Sequence, residues 1–122
     1  MSMRTVSRRS ALAGAGLVVV KPETAFGSQA NSAVSLGIVG VGRRGRYVGG
    51  IFAKDPRAKI AAICDIFSDC IDLAKTQVPG AEKARVYKEY KELLAQADID
   101  AVLIMTPVFL HPEHFEAAVE AR

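Results

Sequence analysis

Cysteine is scarce in this chain: Cys64 and Cys70 are the only two among 122 residues. Two thiols cannot build a disulfide-held scaffold or supply a cysteine-rich structural zinc site. Histidine is equally sparse. His111 and His114 have no further Cys or His at ligand spacing, so no metal site is expected. Cys64 closes an apolar run and Cys70 falls in the next helical segment, so both read as separate small apolar fillers. The apolar run from Ala11 to Val20 is too short to cross a bilayer comfortably. Most of the chain also lacks an excess of either charge. Of sixteen Lys and Arg, four (Arg4, Arg8, Arg9, Lys21) lie in residues 1–30; of thirteen Asp and Glu, only Glu23 does. Twelve of each sign remain beyond. The pI near 9.0 therefore belongs to the N-terminal segment, and no nucleic-acid partner is expected. Internal repeats and low-complexity tracts are missing too. Half of the residues are hydrophobic, which supports one packed core rather than disorder.

Residues 1–30 read as an export leader. A basic segment ends in Ser7-Arg8-Arg9-Ser10, and the mild Ala/Gly-rich run to Val20 follows. The paired arginines resemble a twin-arginine signal: Ser7, Arg8, Arg9 and Leu12 fit, while Ala11 stands where phenylalanine is usual. Ser28-Gln29-Ala30 is a small-x-small cleavage site, with alternatives between Thr24 and Gly27. The expected destination is the periplasm or exterior, with membrane contact only through this signal. The alternatives are a frayed cytosolic N-terminus and an uncleaved anchor.

From residue 34 apolar strands alternate with helical patterns. Strands are expected at Val34 to Val39, Lys59 to Cys64, Ala84 to Tyr87 and Ala101 to Met105. Helices are expected from Arg43 to about Ala53, from Ser68 to Thr76, from Glu89 to Ala97 and from Pro112 to Arg122. The first would bury Tyr47, Val48, Ile51 and Phe52, and the last Phe115, Ala118 and Val119. Such alternation implies right-handed β-α-β units and an α/β doubly wound parallel sheet. About four strands in the order 3-2-1-4 make a partial Rossmann domain over residues 34–122, with its ligand crevice between strands 1 and 4.

At the first strand's end stands Gly40-Val41-Gly42-Arg43-Arg44-Gly45, a G-x-G-x-x-G turn opening a helix. Gly40 permits the tight turn, Gly42 lets backbone approach a pyrophosphate, and Gly45 lets the helix pack closely. The helix start offers free N–H groups to the anion. Asp65 lies twenty residues beyond Gly45 at the end of the second strand, placed to accept from adenosine ribose hydroxyls. The plainer alternative is a cap for the following helix. NAD is the expected cofactor, and Arg43 and Arg44 keep NADP open because a guanidinium there could hold a 2′-phosphate. Methyltransferase loops share this outline but carry an acid just before the glycines, where Ile38 and Val39 stand here.

Thr106-Pro107-Val108-Phe109-Leu110-His111 completes the pattern, Pro107 giving the fourth strand a rigid exit. With Ile63-Cys64-Asp65 and Tyr87-x-x-Tyr90-x-x-Leu93-Leu94, these motifs resemble the N-terminal domain of the Gfo/Idh/MocA (glucose–fructose oxidoreductase / inositol dehydrogenase) family over residues 34–122. The resemblance implies that Gly40, Gly42 and Gly45 hold the pyrophosphate and Asp65 the adenosine ribose. Thr106 and Pro107 would line the nicotinamide-side ribose, with His111 beside it. Val108 departs from the Asn or Asp frequent there. His111 could equally be a helix-start residue with a local hydrogen bond, and His114 reads as partly exposed.

The family's chemistry is hydride transfer with sugar-like alcohols, aided by a lysine in a Glu-Lys-Pro motif one strand further on. That motif does not occur in this sequence, and neither does a substrate domain. The chain thus reads as a truncated cofactor module, with no catalytic residue to assign and no turnover alone. A non-catalytic binding or scaffold module is the alternative. Ending after strand four would leave an apolar sheet edge open to self-association.

Overall fold

The computed structural model describes residues 16–20 and 33–121. The N-terminal arginine pair, the residues before Gly16 and the cleavage sites lie outside them. Strands β2 (Val34–Val39), β3 (Ala58–Cys64), β4 (Arg85–Tyr87) and β5 (Ala101–Ile104) form within a residue of expectation. Their near-continuous Val/Ile/Leu/Ala content suits strands covered on both faces. Helices α1 (Arg43–Ala53), α2 (Ser68–Gln77), α3 (Tyr90–Leu94) and α4 (His111–Ala121) connect or follow them.

The sheet order is β1-β5-β2-β3-β4. Strands β5, β2, β3 and β4 are parallel, the expected doubly wound arrangement. The fifth strand was not anticipated. Leu17–Val20 forms β1 and pairs antiparallel with β5, Leu17 opposite Ile104 and Val20 opposite Ala101. One expectation needs correction here: the outer edge of β5 is not open, because Leu17–Val20, the end of the apolar run in the expected leader, pairs with it. The physical reason is the composition of the segment: a four-residue run rich in β-branched side chains meets an unpaired apolar edge.

Side chains alternate between two cores. On one face α1 and α2 cover Leu36, Ile38, Ile60, Ile63 and Leu103. On the other, α3 and α4 cover Val39, Ala62, Cys64, Val102 and Ile104, with Leu17 and Val19 of β1 at the margin. Ile38, Ile63 and Leu103 are fully buried, each contributing about 1.5–3 kcal/mol. The helix after β2 lies on one face and the helix after β5 on the other, so the winding reverses between those adjacent strands. This is where such sheets bind ligands.

Two helices bury their expected faces only in part: Val48 and Phe52 of α1 pack against the core and Ala118 of α4 is buried, but other expected residues are not. In α1, Tyr47 and Ile51 are exposed, while Gly45 and Gly49 form the buried seam. A Cβ on Gly49 would come within 2.7 Å of Ile38 Cδ1. Absent side chains, not bulky ones, let this helix close on the sheet. In α4, His114 and Ala118 face inward and Phe115 points to solvent. Helix α3 is shorter than expected and buries Leu93 fully, while Leu94 is only half-buried.

Candidate functional site

The parallel strands end together at one cleft of about 830 Å³, lined by Gly40, Gly42, Asp65, Thr106 and Pro107 among others. The three turn glycines do three different things. Gly40 takes φ +93°, in the left-handed region, and a Cβ there would lie 2.8 Å from the Met105 carbonyl carbon. Any L side chain would be strained in conformation and short of space. Gly45 packs its Cα against the turn, where a Cβ would overlap the Gly40 carbonyl oxygen. Gly42 differs: a Cβ there would meet no protein atom within 4 Å. It caps α1 with no side-chain hydrogen bond, so the helix start presents bare N–H groups to the cleft. This empty cradle at a helix N-terminus suits a pyrophosphate.

Asp65 fastens the turn. One carboxylate oxygen accepts from the Val41 N–H at 2.9 Å and the other from the Phe67 N–H at 2.9 Å. The second bond is a local turn that stops short of capping α2, whose N-cap is Phe67, and the first ties the end of β3 to the glycine turn. A carboxylate has about four acceptor sites, so both oxygens keep capacity for ribose hydroxyls. Arg43 and Arg44 are exposed on the cleft rim, with Arg44 stacked over the Tyr47 ring at 5.8 Å. Arg46 braces the turn from within the helix, donating from Nη1 to the Val41 carbonyl at 3.0 Å and from Nε to Gln77 at 2.8 Å. Its spacing on the helix gives no hint of that role.

On the β5 side, Thr106 and Pro107 line the cleft. Of the two histidines, His114 lines it and His111 stands behind. His111 Nε2 donates to the Thr106 carbonyl at 2.7 Å, the local helix-start bond. His114, expected at the surface, is 6% exposed, with Nδ1 2.8 Å from Thr106 Oγ1. The available signal was its three-residue spacing from His111, which sets both on one helix face. Burial pushes the His114 pKa below the usual imidazole value; Glu113 and Glu89 oppose this and His111 adds to it. Ile66 and Phe67 stand exposed beyond Asp65, and together with Phe109 make the cleft walls apolar.

The cysteines are free and on opposite faces of the sheet. Burial, reinforced by Asp65, pushes the Cys64 thiol up to about 12, so it stays protonated and inert. Among the described residues no cluster of His, Cys, Asp or Glu could hold a metal, and no helix is long and apolar enough to cross a membrane.

The profile of an oxidoreductase family with an NAD-binding Rossmann fold, Gfo/Idh/MocA, matches residues 34–122. A glycosyl hydrolase family 109 protein of Saccharopolyspora erythraea is 31% identical, covering 87% of this chain and 28% of that protein. Inositol 2-dehydrogenase 1 of Paenarthrobacter aurescens is 34% identical over 68% of this chain and 24% of its own length. Among solved structures, scyllo-inositol dehydrogenase of Lactobacillus casei, with bound NAD(H) and scyllo-inositol, superposes with a TM-score of 0.66 at 31% identity. The match covers 74% of this chain and 26% of that enzyme. The chain thus spans about a quarter of the length of the proteins it matches.

Proposed function

The chain belongs to the Gfo/Idh/MocA oxidoreductase family as an NAD-binding Rossmann domain, and on that premise we propose that it is the cofactor part of an exported oxidoreductase acting on sugar-like alcohols. One observation carries the proposal: the glycine turn, the bare helix start and Asp65 meet at the reversal of the winding, around a cradle that a Cβ on Gly42 would enter. Gly40, Gly42 and Gly45 would hold the pyrophosphate, assisted by Arg43 and Arg44. Asp65 would accept from the adenosine ribose and disfavour a 2′-phosphate. Thr106 and Pro107 would border the second ribose, and His111 would fix the Thr106 backbone. When bound, the nicotinamide supplies the hydride acceptor or donor. Apolar side chains, Ile66, Phe67 and Phe109 among them, line the cleft in which the cofactor would lie.

The sugar-like substrate class rests on relatives named as inositol dehydrogenases. We assign the residues named above to holding the cofactor and none of them to the proton transfer. Fluorescence titration with NADH and NADPH tests the cofactor assignment. We expect NADH to bind at least tenfold more tightly, because Asp65 repels the extra phosphate. No binding of either at millimolar concentration would sink the assignment and favour a scaffold module. Export is tested by fusing residues 1–32 to a reporter. Arg8→Lys with Arg9→Lys should hold the reporter in the cytoplasm; unchanged export would refute a twin-arginine route.

A second reading follows from the family 109 relatives. The same cofactor site would then serve cleavage of a glycosidic bond, a hydrolysis with no net oxidation or reduction. Turnover by a protein containing this module separates the two: net NADH accumulates in a dehydrogenase and not in such a glycosidase.

A further inference from the structure

One buried titratable side chain faces the cleft without a task in the scheme above. His114 is the buried polar side chain among the described residues, and its ring is held on two sides. Nδ1 meets Thr106 Oγ1 at 2.8 Å, and the Tyr90 ring packs against it with centroids 4.2 Å apart. Tyr90 is itself fixed, its hydroxyl donating to Glu113 Oε2 at 2.8 Å, which joins α3 to the first turn of α4. The two histidines therefore grip Thr106 at different atoms, and the two bonds respond differently to a proton.

His111 donates from Nε2 to a carbonyl, and an imidazolium donates there just as well. The His114 bond is different. A neutral imidazole with its hydrogen on Nε2 accepts the Thr106 O–H at Nδ1, leaving the Thr106 lone pairs toward the cleft. An imidazolium can only donate from Nδ1, so Thr106 must accept and its own O–H must seek another partner. We propose that His114 is a positioning residue that sets, through Thr106, the hydrogen-bond polarity offered to the cofactor, so that affinity follows the charge on His114. This rests on the reading of the cleft as the NAD site.

The neutral form is the binding form. Burial already favours it, and a ligand covering the ring removes more water. The charged groups around it do not reverse this order. His111 acts with burial, Glu113 and Glu89 act against it, and Tyr90 is held neutral by its bond to Glu113 and by partial burial, its pKa pushed up to about 12. Lys88, Asp65, Arg43 and Arg44 share the cleft lining and act on any phosphate-bearing ligand.

ADP blocked as its β-methyl ester (ADP below) carries the pyrophosphate without the second ribose and without a terminal phosphate that titrates in this range, so it reports those shared charges. Dissociation constants for NADH and ADP are to be measured from pH 5.5 to 8.5 on the wild type, His114→Asn and Thr106→Val. The wild type should lose NADH affinity as pH falls toward the His114 pKa, beyond any change seen with ADP, by at most about fivefold at pH 5.5, because the tenfold limit of a one-unit pKa shift is reached only well below both pKa values. Both variants should flatten that excess, since Asn keeps a polar group near Nδ1 but does not titrate. NMR titration of the wild-type His114 ring, which needs no variant, should show its pKa falling by about one unit when NADH binds. Parallel NADH and ADP profiles, an excess that survives in His114→Asn, or a ring pKa indifferent to NADH would each overturn the inference while leaving the cofactor site standing. Absence of NADH binding at every pH would overturn both.

Discussion

A single Cβ has opposite consequences at two glycines of the turn. At Gly45 it would overlap the Gly40 carbonyl oxygen, and at Gly42 it would enter empty cleft space. Gly45→Ala should therefore cost about 1–3 kcal/mol of folding stability by overpacking, along with NADH affinity. Gly42 has φ −68°, which alanine adopts freely. Gly42→Ala should leave stability within about 0.5 kcal/mol yet weaken NADH at least tenfold. Urea unfolding beside NADH titration checks both. Equal stability losses would mean that Gly42 serves packing rather than the ligand. The spacing of Gly40, Gly42, Gly45 and Asp65 was legible because each answers a local demand that a turn imposes. The partners of Asp65 were not legible. Its bond to the Val41 N–H joins two strands, and nothing in the chain order reveals which backbone N–H will face a carboxylate across a crossover.

Elements were legible as types and less so as orientations. The period of α1 marked Tyr47, Val48, Ile51 and Phe52; Val48 and Phe52 do pack on the core, but Gly45 and Gly49 complete that face in place of Tyr47 and Ile51, because only a bare Cα can sit against the Gly40 carbonyl and the Ile38 side chain. In α4, Phe115 competed with His114 for the inward position. The histidine won because Thr106 supplies a partner for its nitrogen, whereas a cleft wall that is already apolar gains little from another ring. Burying a histidine leaves a signature in stability. The folded pKa of His114 lies below the unfolded value near 6.5, so as pH falls through 6.5 the unfolded chain takes up the proton first. Stability should drop with acidification through that window and level off only below the folded pKa. Asp55 acts elsewhere. Its hydrogen bonds from Arg57 hold the carboxyl down to about 2, and that contribution is lost only as pH falls from 3.8 toward 2. Thermal melts from pH 7 to pH 5 should therefore decline in the wild type and much less in His114→Asn. An identical decline in both would assign the slope to other groups.

At the scale of the whole molecule, the strand that closes the sheet comes from the segment farthest in sequence from its partner. Leu17–Val20 could be read as the apolar part of a leader or as a strand, and its composition fits both uses. The antiparallel register with Ala101–Ile104 shows the second, and helix α4 packs over the same segment. On the proposed export route the two uses would alternate, because a segment held in the sheet is unavailable to an export receptor until it leaves it. Closure of the edge also bears on association. With β1 in place, β5 has neighbours on both sides; without it, one side of an apolar strand offers free N–H and C=O groups to another chain. Val18→Pro with Val19→Pro removes two consecutive N–H groups, and at least one of two successive donors points toward the partner strand in an antiparallel pair. The double variant should lose hydrogen-exchange protection at Ala101–Ile104 while β2 and β3 keep theirs. It should also sediment as a concentration-dependent oligomer where the wild type does not. Lost protection without oligomers would mean that the twist of β5 already blocks edge pairing. Unchanged protection would mean that β1 contributes nothing to holding the edge, and the segment would then be free to act as a leader at all times.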